Sequence, residues 1–168
     1  MALGPDGKFQ VLFVCTGNLC RSPMAEALLK VKMKGTLKKK VRILSAGTHA
    51  IEGQPATLRA QFVAGYFHVD LSKHRSQPVT PWLINHSDLI LGMDHTHVEA
   101  IRRLDPTASP RTFLLKEFGL PPDHPGGILS IDDPISGDEN VYLNTYQELD
   151  EETTRIVPFI EKAVESVG

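Results

Sequence analysis

The stretch Val11-Leu-Phe-Val-Cys15-Thr-Gly-Asn-Leu-Cys20-Arg21-Ser22-Pro23 decides the fold. It reads as a buried strand, then a polar loop that opens with Cys15 and closes with Arg21 and Ser22, then a helix starting near Pro23. The run Val11–Val14 is apolar without alternation, as in a central parallel strand. Gly17 and Asn18 tolerate positive φ and permit a tight curl. Ser22 is a preferred helix N-cap, Pro23 suits the first helical position, and Glu26 falls in the first turn. A loop held between a strand end and a helix N-terminus gathers backbone N–H groups at the positive end of the helix dipole. Such a place binds anions.

The residue types in this loop suit phosphoryl chemistry. The thiolate, not the thiol, is the sulfur nucleophile, and a helix N-terminus with a nearby arginine favours it. A phosphate monoester needs donors on its equatorial oxygens and a nucleophile in line with the leaving oxygen. The amides of Thr16, Gly17, Asn18, Leu19, Cys20 and Arg21 supply donors, and the planar fork of Arg21 can hold two oxygens at once. The plainer alternative is a buried structural cysteine ahead of a capped helix. Cysteine, flexible loop, arginine and cap in one short stretch weigh against it.

Working outward, Phe9–Val14 is the first strand and Pro23–Lys34 the first helix, with Met24, Ala27, Leu28 and Val31 as its inward stripe and Gly35 as its end. Val41–Ala46 is a second strand. A helix runs from Pro55 toward Gly65, and a short one covers Pro81–His86. Asp88–Met93 is a third strand, His95–Leu104 a helix, and Arg111–Leu115 a fourth strand. Residues 120–137, rich in Pro, Gly and Asp, form a long surface loop, a type that is often functional. The last segment carries Tyr142, Tyr146, Leu149, Ile156 and Ile160 at helical spacing, and Pro158 should kink or divide it. Strands alternating with helices predict an α/β three-layer sandwich, a parallel sheet with helices on both faces and right-handed crossovers. Ligand should bind beyond the C-terminal ends of the strands, where Cys15 lies.

The 168 residues suit one domain, with Met1–Lys8 as a short flexible lead and 9–168 as the domain proper. A net charge of −2 gives no reason to expect nucleic acid or anionic membrane as partners. Lys38-Lys39-Lys40, with Lys30, Lys32 and Lys34 before it, reads as a solvated helix end and loop that can steer acidic substrates. No apolar run reaches transmembrane length and no signal-peptide core is visible, so secretion is not indicated. The two cysteines share one short loop, which suits reduced thiols in a cytoplasm. Seven histidines are present, but no Cys/His spacing fits zinc, and His95 and His97 point to different helix faces. No metal and no other cofactor is expected.

A phosphocysteine route needs a proton for the leaving oxygen and later a base for water, and one carboxyl group can serve as both. The long loop offers Asp123, Asp132, Asp133 and Asp138.

The segment Cys15-Thr-Gly-Asn-Leu-Cys20-Arg21-Ser22, followed by Pro23-Met24-Ala25-Glu26-Ala27, resembles the C-x5-R-S signature of the low-molecular-weight protein tyrosine phosphatases. Ser45-Ala46-Gly47-Thr48, Gly53-Gln54-Pro55-Ala56, Met93-Asp94 and Asp133-Pro134 match in the same order, covering nearly all of the chain from Phe9 onward. The resemblance implies a sheet of order 2-1-3-4. It implies Cys15 as nucleophile, Arg21 as phosphate ligand and Asp133 as the general acid, with Asp132 a weaker candidate. Pro134 restricts Asp133 to extended backbone, which helps to aim its carboxyl. Asn18, Ser45 and His74 match polar positions that support the loop, and Ser22 matches a hydroxyl that stabilises the sulfur as a leaving group. The resemblance also supports a protective Cys15–Cys20 disulfide, against which Cys20 as a small packing residue remains open.

Two departures bear on substrate. The family lines the mouth of its site with aromatics where this chain has Ile51, Ile135 and Ser136. Aliphatic walls forgo an aromatic pairing of roughly 0.5–1.5 kcal/mol. Related protein-arginine phosphatases carry threonine at the position of Leu19, so Leu19 favours an aromatic phosphoester. The expected activity is hydrolysis of phosphotyrosine in proteins, or of aryl phosphates, with phosphate or another oxyanion as a ligand. The alternatives are a protein-arginine phosphatase, an arsenate reductase-like enzyme, for whose relay the chain has no cysteine beyond Cys20, and a phosphate-binding regulatory module that would not need Asp133.

Overall fold

The computed structural model describes residues 3–167. Met1 and Ala2 of the expected flexible lead, and Gly168, lie outside the described residues. Residues 3–8 form a turn closed by a hydrogen bond from Gly4 N–H to the Lys8 carbonyl. Asp6 ties it to the sheet through Arg42, at 2.5 Å.

The sheet consists of β1 (Phe9–Cys15), β2 (Val41–Gly47), β3 (Leu89–Gly92) and β4 (Thr112–Leu114) in the order β2-β1-β3-β4. All three pairings are parallel, so the expected 2-1-3-4 order is observed. The helices are α1 (Arg21–Lys32), α2 (Gly35–Lys40), α3 (Leu58–Tyr66), α4 (Pro81–Asn85), α5 (His95–Leu104) and α6 (Glu139–Val167), with a 3-10 turn at Pro106–Arg111.

β1 is buried along its whole length, and its alternation builds two cores. Phe9, Val11, Phe13 and Cys15 face the layer of α1, α3 and α6, against Met24, Leu28, Val63, Leu149 and Ile156. Leu12 and Val14 face the other layer, against Leu83, Ile84 and Ile101. These two cores are the two interfaces of a three-layer sandwich, and each strand is delivered with its C-terminal end at the same rim.

Several local expectations are corrected. The first helix starts at Arg21, with Cys20 as N-cap and no side-chain cap, so Ser22 is not the cap and Glu26 is outside the first turn. Ser22 is drawn into other hydrogen bonds, described below. Val31 is exposed rather than inward, and lines a surface groove beside Val41 and Ile43. Gly35 opens α2 instead of ending the first helix, which stops at Lys32. The helix expected from Pro55 begins at Leu58, capped by the Thr57 hydroxyl, which accepts from Ala60 N–H. Pro158 does not divide the last helix, which runs unbroken from Glu139 to Val167. Pro158 lies on its exposed side. The carbonyl that loses its partner there is left where water can reach it, and the packing of Ile156 and Ile160 holds the helix together.

Candidate active site

The loop leaving β1 turns at Asn18, whose φ of 57° lies in the left-handed region. Gly17 does not share that conformation, and a Cβ placed on it would meet only the Leu19 side chain, at an ordinary 3.6 Å. The curl therefore depends on Asn18. Its Nδ2 donates to Ser22 Oγ at 2.8 Å and to Ser45 Oγ at 2.9 Å, and its Oδ1 accepts from Gln77 N–H at 3.0 Å. Its carbonyl accepts from His74 Nε2 at 2.7 Å, so that nitrogen of His74 carries the proton. Ser45 passes its own proton toward Glu26 Oε1 at 2.7 Å. The polar residues expected to support the loop, Asn18 with Ser22, Ser45 and His74, are thus brought together from three separate stretches of chain.

Ser22 Oγ lies 2.8 Å from Cys15 Sγ. Since Asn18 already donates to Ser22 Oγ, the Ser22 proton is available to the sulfur. Among the described residues, the N–H groups of Gly17, Asn18, Leu19, Cys20 and Arg21 find no acceptor in the protein. Buried N–H groups in native structures are almost always paired, so a run of donors without protein partners marks a place for an anion.

Arg21 is 3% exposed. Its Nη1 donates to Asp94 Oδ2 at 3.2 Å and to the Ile131 carbonyl at 2.9 Å, which fixes the plane of the guanidinium. Its Nη2 lies 3.5 Å from Asp133 Oδ2. Partial burial works to raise the pKa of Asp94, but hydrogen bonds from Thr96 and Arg21 and the nearby His97 outweigh it, and the net shift is downward.

Asp133 reaches this place because the long loop is pinned beneath it. Ile131 is buried, and its N–H donates to the Met93 carbonyl at the end of β3, at 2.8 Å. Asp133 Oδ1 accepts from Ile135 N–H at 3.1 Å, a turn that orients the carboxylate. Cys15, Thr16, Gly17, Leu19, Cys20 and Arg21, with Asp133 and Ile135 across from them, line a cleft of about 240 Å³. Asp123 and Asp132 do not line it, and Asp138 caps α6 by accepting from Val141 N–H. Ile51 is 73% exposed and does not line the cleft.

Cys20 is buried, with its sulfur 3.3 Å from the Tyr142 hydroxyl and 3.6 Å from that of Thr57. Burial pushes its thiol pKa up, against the pull of those two hydroxyls. Burial, then contact with Cys20, pushes the Tyr142 phenol up to about 12.

The residue most clearly missed by sequence is His97, considered only as a metal ligand. It is 1% exposed. Its Nδ1 accepts from Asp94 N–H at 3.1 Å, and its Nε2 lies 2.9 Å from Thr16 Oγ1. Burial lowers its pKa to about 4, Asp94 pulling the other way and Arg21 adding to the lowering. It is therefore neutral at pH 7, with the proton on Nε2 donated to Thr16. The Asp94-x-x-His97 spacing, an N-cap with a polar residue three positions on, was the available signal.

The family model described as low molecular weight phosphotyrosine protein phosphatase matches residues 10–166. The chain belongs to that family. The low-molecular-weight phosphatases are enzymes, and this member resembles relatives of two substrate types. It is 40% identical over 108 residues to a probable low molecular weight protein-tyrosine-phosphatase, EpsP, of Ralstonia nicotianae, covering 64% of this chain and 71% of that one. The YwlE arginine phosphatase of Geobacillus stearothermophilus superposes with a TM-score of 0.81 at 34% identity, over 92% of this chain and 94% of that one. Vibrio vulnificus Wzb, solved with benzylphosphonate, superposes with a TM-score of 0.75 at 31% identity, over 89% and 97%.

Proposed function

We propose that this low-molecular-weight phosphatase hydrolyses phosphotyrosine in proteins, or small aryl phosphates, through a phosphocysteine. The observation that carries the reading is the run of amide donors without protein acceptors around Cys15 and Arg21, faced by Asp133. Cys15 Sγ attacks phosphorus while the amides and Arg21 hold the equatorial oxygens. The P–O bond to the leaving group breaks, and the departing oxygen takes the Asp133 proton. Water then attacks the phosphocysteine and gives a proton to the Asp133 carboxylate. The P–S bond breaks to release phosphate, and the sulfur leaves as thiolate, stabilised by the Ser22 hydroxyl. His74 and Ser45 act through Asn18 and do not touch the ester. A thiolate nucleophile requires a reducing compartment, so residence in the cytoplasm belongs to the same proposal.

Apolar walls at Leu19 and Ile135 favour an aryl ester, which buries a ring between them. The likeness to an arginine phosphatase supports phosphoarginine as the second reading. The test is kcat/KM on matched phosphotyrosine and phosphoarginine peptides, with Cys15→Ser as the blank. Preference for phosphotyrosine supports the aryl reading, and preference for phosphoarginine overturns it while keeping the chemistry. Activity on neither, with phosphate still bound, would leave a binding module.

A further inference from the structure

Helix α3 turns its largest apolar side chains away from the core. Its buried face consists of Ala60, Val63 and Ala64, while Leu58, Phe62 and Tyr66 are 83%, 62% and 75% exposed. Side chains at this spacing lie one above the other on a helix, so the three form one ridge. A surface helix ordinarily has the opposite arrangement, with polar residues outward. The ridge presents roughly 500 Å² to solvent, taking about 150–250 Å² for a large side chain. An apolar patch of that size on a monomer is often a recognition surface.

Beside the ridge runs a groove of about 370 Å³, lined by Phe62, Val63, Tyr66 and Phe67 on one side and by Glu139 and Leu143 of α6 on the other. Its aromatic wall is held in place: the Phe67 ring stacks on the buried Tyr146 ring at 4.8 Å and meets Tyr66 edge-on at 5.1 Å. Both sides of the groove begin at the Cys15 cleft. Thr57, the N-cap of α3, donates its N–H to the Leu19 carbonyl at 3.0 Å. The hydroxyl of Tyr142, in the first turn of α6, lies 3.3 Å from Cys20 Sγ. Leu19 and Cys20 both line the cleft.

We propose that this groove docks an apolar side chain, best an aromatic one, of the same phosphoprotein whose phosphorylated residue occupies the cleft. The inference rests on the reading of the Cys15 cleft as a phosphatase site and adds a substrate feature to it. Continuity with the cleft selects this occupant. From Thr57 to the stretch between Phe62 and Tyr66, α3 rises about 8–14 Å. An extended peptide covers that length in about two to four residues, so one segment can fill both places. The area argues against a second copy of the chain, since a stable interface takes about 800 Å² from each partner, more than the ridge offers. A helix that lies on an anionic membrane is rich in Lys and Arg, whereas α3 has Arg59 alone and the groove beside it carries Glu139. A small, transient contact suits an enzyme that must release its product.

Steady-state kinetics on the full chain test it with Gly/Ser peptides carrying one phosphotyrosine, with or without a Phe two, three or four positions to either side. Phosphoarginine takes the place of phosphotyrosine if it is the preferred ester. Phe at one or more of these positions should lower KM about tenfold with kcat nearly unchanged, as added binding of substrate and transition state alike would. Phe62→Ser/Tyr66→Ser should abolish that advantage while keeping wild-type circular dichroism and wild-type turnover of a small aryl phosphate. The proposal is overturned if Phe helps at no position, if its advantage survives in the double variant, or if the variant loses small-ester turnover to the same extent. A dimer in sedimentation equilibrium that the double variant abolishes would assign the ridge to a second copy. Binding to phosphatidylserine vesicles that the variant abolishes would assign it to a membrane, and either result overturns the substrate reading. If the wild type turns over neither the peptides nor the small ester, the phosphatase reading of the cleft fails instead, and this inference with it.

Discussion

His97 Nε2 and Thr16 Oγ1 lie 2.9 Å apart although 81 positions separate them in the chain. The imidazole cannot reverse this bond, because its Nδ1 already accepts from Asp94 N–H. Through Asp94 the same unit reaches Arg21, so one buried neutral histidine ties the first residue after Cys15 to the arginine at the other end of the loop.

That neutrality has a cost in acid. The unfolded chain protonates His97 near 6.5, whereas the folded chain resists down to about 4. Between those values the unfolded state binds more protons, so stability is full above pH 6.5 and falls as pH drops toward 4. The loss should reach about 3 kcal/mol. Urea unfolding midpoints measured across this range check it, and His97→Gln should flatten the slope. An unchanged slope in the variant would remove His97 as its source.

Gly47 should tolerate no side chain. A Cβ there would meet the Thr16 carbonyl at 2.5 Å, the Ala50 Cβ at 2.8 Å and Asn18 N at 2.9 Å. Gly47→Ala is expected to push the 15–22 loop aside and lower kcat/KM by about 100-fold, the scale of an ångström-sized misplacement. Gly17→Ala is the control, since its Cβ meets only Leu19 at ordinary distance, and it should change kcat/KM little.

Asn18 contributes both backbone and side chain. Asn18→Gly keeps the φ of 57° accessible but removes the bonds to Ser22, Ser45 and Gln77. It should destabilise by about 2 kcal/mol or more, since the buried partners are left unpaired. Asn18→Ala should cost about 1 kcal/mol further, from the left-handed backbone. Chemical denaturation of both variants separates the two parts.

Asp133→Asn removes the proposed proton donor without changing side-chain size. The rate should fall about 100-fold or more for esters with poor leaving groups and much less for an acidic phenol that departs unaided. A series of aryl phosphates of graded leaving ability measures this. A uniform loss across the series would assign Asp133 to binding through Arg21 instead.

Much of the architecture was legible because it is written in local periodicity. The alternation of strands and helices predicts a parallel sheet, and the order observed agrees with the resemblance. Helix ends were less legible. Ser22 has the chemistry of an N-cap, but Asn18 and Cys15 compete for its hydroxyl, and the helix starts two residues earlier, at Arg21, with no side-chain cap. Pro158 is a helix breaker by local rules, but tertiary packing of its neighbours keeps α6 whole.

By itself the sequence determined the strand, the anion-binding type of loop and the helix that follows, because all three lie within one continuous stretch around Cys15 and Arg21. The resemblance singled out Asp133 among the four loop aspartates, but only the tertiary structure shows why it lines the cleft and Asp123, Asp132 and Asp138 do not: its position depends on where Ile131 docks on the end of β3. It alone brought His97 to Thr16. Residue spacing encodes which neighbours share a face. It does not encode which distant segments meet, because that is set by the packing of the whole chain around the sheet.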